Sequence, residues 1–237
     1  MLHPVRMDAM CGNAPFLIFN DADIDLAIEG VMASKFRNGG QTCVCANRIY
    51  VQSGIYDTFA ERLSARVGSM KIGDGFGEGV EIGPMINEAA IGKIQSHLED
   101  ATKHGGKILV GGKRKDANSL LIEPAVVANA SAAMLVAQEE TFEPVAPLFR
   151  FDTEEEVVTA ANGTPFGLAS YLFTNDLSRS FRVGEALETG MVSINVGGFA
   201  TEVAPFGGVK ESGLGREGSR HGIDEFLEIK TFHIGGI

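Results

Sequence analysis

The chain has 237 residues, 44% hydrophobic and 22% charged, enough for one well-packed globular body. Lys and Arg number 20 against 31 Asp and Glu, giving a net charge of -11 and a pI near 4.9, a balance that argues against nucleic-acid and anionic-membrane partners. No apolar run approaches the roughly 20 residues of a membrane span, the start MLHPVRMDAM lacks a secretory apolar core, and three cysteines are too few for a disulfide framework, so a reducing, cytoplasmic setting is expected.

In chain order, 21–37 reads as an amphipathic helix with Ile24, Ala27, Ile28, Val31 and Met32 on one stripe and Asp21, Asp23 and Asp25 near its positive end. Asn38-Gly39-Gly40 stops it. The stretch NRIYVQ (47–52) reads as a strand, after which Ser53 is placed to cap a helix running to about 69 with Ile55, Phe59, Leu63 and Val67 on its inner face. A glycine-rich loop over 73–79 precedes a helix over 88–104 that turns Ile91, Ile94, Leu98 and Ala101 inward and stops at Gly105-Gly106. Strands are expected at 107–110, 120–127 and 147–151. Thr153 and Glu156 make a capping box for a helix to 161. A strand at 168–174, a helix at 177–187 and a strand at 191–196 follow, then a glycine-rich loop, and 226–233 alternates like an edge strand. Strands separated by helices of this length imply βαβ units. The fold expected is α/β, three-layer, with a mostly parallel sheet and helices on both faces, one domain over 1–222 and a tail over 223–237.

The most informative stretch is FRNGGQTCVCANR at 36–48. A helix ends at a glycine pair, and Cys43 sits on the connection into the next strand, where a thiol can be exposed on a rigid turn and approached closely by a ligand. A thiolate there could add to an electrophilic aldehyde carbon as a thiohemiacetal. The alternative is a buried small hydrophobe, the commoner fate of cysteine. Cys45 points to the opposite face if the segment is extended. Cys-x-Cys is not the usual zinc spacing and no partner pair follows, so no metal site is expected.

Together with GNAPF at 12–16, EETFEPVAPLFRF at 139–151, PFGGVKESGLGREGS at 205–219 and FLEIK at 226–230, this stretch resembles the NAD(P)-dependent aldehyde dehydrogenases, and within them the succinate-semialdehyde dehydrogenase branch. The resemblance runs from about Gly12 onward and covers the catalytic half of that family. It implies that Cys43 is the nucleophile, its backbone N–H one oxyanion donor. It also implies that Glu140 and Phe142 hold the nicotinamide ribose and ring of NAD or NADP. Arg37 matches the arginine that holds the distal carboxylate of a small-molecule aldehyde, a task suited to a guanidinium. Its other reading is a cation favoured by the helix dipole. The tail would pair with a second subunit, giving a homo-oligomer.

Several positions depart from the family pattern. The general base would fall at Ala9, with Cys11 at the first glycine of the family's Glu-Leu-Gly-Gly segment. Asp8 is one residue out of register, which on a strand is the opposite face. Residues 1–11 look unlike the family, as an atypical start of a truncated or frame-altered reading frame would. Glu143 stands in place of a glycine, where backbone strain is expected, and Ala200 in place of a carboxylate-holding serine. Other signals carry little. The G-x-G-x-x-G at 213–218 follows a loop and precedes no βαβ unit, and His97 and His104 read as solvated helix positions. Alternatives to an active dehydrogenase are a catalytically silent remnant that acts as an oligomerising module, or slow cofactor-free thiol chemistry at Cys43.

Overall fold

The computed structural model describes residues 11–199 and 201–236. Its centre is a seven-stranded sheet of β1 (Ala14–Ile18), β2 (Ala46–Gln52), β3 (Lys107–Val110), β4 (Ala125–Ala128), β5 (Val145–Phe151), β7 (Ala169–Phe173) and β8 (Met191–Ile194), in the order β3-β4-β5-β2-β1-β7-β8. Every neighbouring pair is parallel except β3 against β4. The short strands β6 (Phe166–Gly167) and β9 (Val209–Lys210) pair separately. The mostly parallel α/β sheet expected from the sequence is present.

Helices cover both faces because strand side chains alternate. Phe16, Ile18, Ile49 and Val51 pack against α1 (Ile24–Val31), α2 (Tyr56–Gly68) and α3 (Glu88–Lys103). Leu17, Phe19, Tyr50, Phe149 and Phe151 form a second core with Val157 and Ala161 of α5 (Glu154–Asn162) and Val183 of α6 (Leu177–Ala186). A single turn, α4 (Leu135–Gln138), lies between β4 and β5. The helix starts follow local chemistry. Asp23 accepts from the N–H groups of Asp25 and Leu26, at 2.9 and 3.1 Å, and Thr153 from that of Glu156 at 3.2 Å. On α3, Ile91, Ile94, Leu98 and Ala101 are all buried.

The structure differs from the sequence reading at several elements. The 21–37 helix is three pieces, α1, then a widened π-turn over Met32–Phe36, then a 3-10 turn over Arg37–Gly40. Ser53 does not cap α2. Its hydroxyl is taken by the Phe151 carbonyl, at 3.1 Å, and by Asp152, and Ile55 precedes the helix with no side-chain cap. The expected strand over 120–127 shortens to β4, because Ile122 instead makes an isolated bridge with Arg114. The tail forms no strand among the described residues. A 3-10 turn at Asp224–Phe226 leads into irregular chain with Leu227, Ile229 and Phe232 exposed, since no sheet edge of the same chain reaches it to complete a ladder.

Phe16 sits at the middle of β1, between β2 and β7, fully buried and stacked against Tyr171 and Phe173 at 5.2 and 4.8 Å. Phe16→Ala is expected to lower unfolding free energy by about 3–5 kcal/mol, read as a fall in the denaturant midpoint at unchanged slope.

Candidate active site

The local sequence dictates the bend that carries Cys43. Asn38, Gly39 and Gly40 have φ of 52°, 63° and 76°, three left-handed residues in succession, which Asn and Gly tolerate and most residues do not. Asn38 and Gln41 tie the turn by donating through their side-chain amides to each other's carbonyl, both at 3.1 Å. A Cβ built on Gly40 would lie 2.2 Å from the carbonyl oxygen of Glu143, so the turn lies directly on the 139–144 loop. A Cβ on Gly12 would lie 2.3 Å from the carbonyl oxygen of Cys43. Backbone therefore meets backbone on both sides of the thiol.

Cys43 is half-buried, with a face left open to solvent. Burial raises its thiol above the ordinary cysteine range, Glu140 and Glu217 add to that, and the backbone N–H groups of Cys43 and Val44 at the sulfur oppose it. Those same N–H groups would favour negative charge there. Tyr171, buried behind the turn, donates to the Val44 carbonyl at 2.7 Å and is pushed up by burial. Arg37 is exposed at the start of the 3-10 turn.

Glu140 and Phe142 come from the loop between α4 and β5. Glu140 Oε1 accepts from the N–H of Gly12 at 2.9 Å, and burial raises its carboxyl against the opposing pull of that N–H and of Lys93. Phe142 is 41% exposed and takes a positive φ of 54°. The strain expected at Glu143 thus falls one residue earlier, while Glu143 has no positive φ and is buried.

The loop is held by groups the sequence reading passed over. Lys35 is fully buried, and its Nζ donates to Thr141 Oγ1 at 2.8 Å, Asn47 Oδ1 at 3.3 Å and Cys45 Sγ at 3.4 Å. Thr141 donates to Asn47 Oδ1 at 2.5 Å, and Asn47 Nδ2 donates to the Gly12 carbonyl at 3.3 Å. Lys93 donates to the Glu140 carbonyl at 2.5 Å. Cys45 is fully buried, facing this lysine and away from solvent. His97 is no solvated residue. It is buried, its Nδ1 2.5 Å from Glu143 and its Nε2 3.1 Å from Glu139, whereas His104 is half-exposed and reaches the Asp100 carbonyl at 3.0 Å. Lys35 and His97 both fall on the apolar stripes of their helices, at i+4 from Val31 and i+3 from Ile94. A polar residue on such a stripe was the available signal.

The G-x-G-x-x-G at 213–218 lies in a loop, with positive φ at Gly213, Gly215 and Gly218. Among the described residues, no cluster of His, Cys, Asp and Glu is placed to hold a metal ion. Asp8, Ala9 and Ala200 lie outside the described residues.

Fold and site together define a parallel α/β domain with a thiol on a helix-to-strand bend, faced by a carboxylate-bearing loop. A model of the aldehyde dehydrogenase family matches residues 4–232, and the chain belongs to that family. Over 219–226 residues it is 56% identical to a 3-sulfolactaldehyde dehydrogenase of Pseudomonas putida, 55% to a succinate-semialdehyde dehydrogenase [NADP(+)] of Escherichia coli and 58% to a glutarate-semialdehyde dehydrogenase of P. putida. Those matches cover 92–95% of this chain and 45–46% of the relatives, so the chain spans about half their length. The crystal structure of an aldehyde dehydrogenase from Brucella melitensis superposes with a TM-score of 0.89 at 59% identity, covering 92% of this chain and 45% of that one.

Two outcomes check the site. Iodoacetamide labelling of Cys43 should rise with pH through a midpoint above the ordinary cysteine range, and Glu140→Gln should move that midpoint down by removing a repelling charge. Gly40→Ala combines a left-handed φ with a backbone clash. It should lower the unfolding free energy by at least about 2 kcal/mol in denaturant titrations.

Proposed function

We propose that this chain supplies the catalytic domain, over residues 1–222, of an aldehyde dehydrogenase that oxidises a small aldehyde with an anionic far end, such as succinate semialdehyde, to the acid. The observation that carries the reading is the half-buried Cys43 just after a rigid left-handed turn whose first residue is the exposed Arg37. The names of the relatives support the substrate class. Sulfolactaldehyde, succinate semialdehyde and glutarate semialdehyde each carry an aldehyde at one end and a sulfonate or carboxylate at the other.

Cys43 would attack the aldehyde carbon, forming a C–S bond as the carbonyl oxygen becomes an alkoxide beside the Cys43 N–H. With its thiol pushed up by burial, Cys43 needs its proton removed to react at neutral pH, which makes a nearby base or a bound substrate part of the activation. Arg37 would pair with the far anion and fix which carbon meets the sulfur. Glu140, with Oε1 on Gly12 N–H, suits a ribose hydroxyl, and the exposed Phe142 ring suits a flat heterocycle, so the loop fits the nicotinamide end of NAD or NADP. A bound nicotinamide supplies a hydride acceptor. The chain's own task is to hold the acyl group on Cys43 as a thioester until water releases it.

The exposed apolar side chains between Ile223 and Ile234 support a role for the 223–237 tail in pairing with a second copy, giving a homo-oligomer.

Competition at the thiol tests substrate and residue together, without a cofactor. Succinate semialdehyde should protect Cys43 from alkylation at far lower concentration than butanal. Arg37→Gln should weaken that protection about 10- to 100-fold, the loss of a charge-assisted pair worth ~1.5–3 kcal/mol. Equal protection by the two aldehydes would overturn the assignment of Arg37.

A further inference from the structure

His97 and Glu143 form a buried pair that the proposed chemistry does not use. His97 stands on α3 and Glu143 ends the loop that bears Glu140 and Phe142. Both are 1% exposed, and Nδ1 lies 2.5 Å from Glu143 Oε1. The other ring nitrogen lies 3.1 Å from Glu139 Oε2. An imidazole facing a carboxylate at each nitrogen satisfies both only as the imidazolium, with two N–H donors. Neutral, it would leave one carboxylate facing a lone pair, inside a region where Glu143 Oε2 already has no hydrogen-bond partner among the described residues. The backbone of Glu143 is also the surface on which Gly40 rests, so this pair sits at the junction of the Cys43 bend and the Glu140 loop.

We infer that His97 and Glu143 act as a proton-dependent latch, positioning the 139–143 loop against the Cys43 bend while His97 carries its proton and releasing the Glu143 end of the loop when the proton leaves. The charged groups facing the ring are Glu143 and Glu139 from the loop and Lys93 from its own helix. Burial and Lys93 favour the neutral ring, but the two carboxylates outweigh them and hold the histidine above its ordinary value. The sign follows from linkage. The latch contributes its full stabilisation below the ordinary histidine pKa, and that contribution is lost as pH rises through the raised native value. Thr141 on Lys35 and the Glu140 carbonyl on Lys93 keep the other end of the loop tethered, so opening is local. His97 and Glu143 are positioning residues, since neither touches the thiol.

The latch is read on the chain alone, apart from the roles proposed for Glu140 and Phe142. The two ideas can therefore fail separately. The experiment follows the His97 ring by proton NMR from pH 5 to 10 and, in parallel, amide hydrogen exchange of 139–143, corrected for intrinsic base catalysis. Expected are a His97 midpoint above the ordinary histidine value and a rise in loop exchange of about tenfold through that midpoint, the scale of losing a hydrogen bond to a charged group. Glu143→Gln keeps an acceptor at Nδ1 while removing the charge. It should lower the His97 midpoint and move the loop transition down with it, whereas a merely structural contact would leave loop exchange flat across the range. A His97 midpoint at or below the ordinary value overturns the inference, as does loop protection independent of pH in the wild-type protein.

Discussion

Two backbone contacts set the geometry on which the rest of the site depends. Gly40 lies on the Glu143 carbonyl and Gly12 on the Cys43 carbonyl, each so close that a single added carbon would overlap. Three chain segments distant in sequence, the start of β1, the bend before β2 and the loop before β5, are thereby locked into one layer at the ends of adjacent parallel strands. These are the amino ends of β1, β2 and β5, so Gly12, Cys43 and the 139–143 loop meet along one edge of the sheet. Only glycine allows such contact. The left-handed turn at 38–40 then delivers Cys43, a half-buried residue, to the edge of that layer.

Beneath the layer lies a polar network in place of apolar packing. Lys35 is buried with neutral oxygens and a sulfur as hydrogen-bond partners, and it links Thr141 of the loop to Asn47 of β2 and to Cys45 just before that strand. A buried ammonium is costly unless its donors are met. Here all three are, and the π-turn over Met32–Phe36 is what brings the side chain into place. The result is a loop held at Thr141 by Lys35, at Glu140 by Lys93 and at Glu143 by His97. Rigidity in this loop comes from charge placement, so its order is tied to protonation in a way an apolar core would not be.

Much of this was legible in the sequence. The alternation of apolar strands with amphipathic helices specified the parallel sheet. The order of short blocks around Cys43, Glu140 and Phe142 identified the family before any coordinates. What escaped was local competition for hydrogen bonds and the reading of polar residues on apolar stripes. Ser53 looks like a helix cap until the Phe151 carbonyl at the end of the neighbouring strand and Asp152 just beyond it claim its hydroxyl. His97 reads as a surface residue because its carboxylate company lies 42 and 46 residues away, invisible to any short window. The tail alternates like a strand, but alternation specifies a strand only where a sheet edge is there to receive it.

The account turns on a thiol that folding leaves reachable at Cys43 while it seals Cys45, two residues on, against Lys35. Peptide-mapped alkylation of the folded protein in a short pulse, repeated in denaturant, measures that difference directly. The account predicts modification of Cys43 in the native state and of Cys45 only after unfolding. Equal native labelling of the two, or a Cys43 that stays inert until the chain is unfolded, would contradict it.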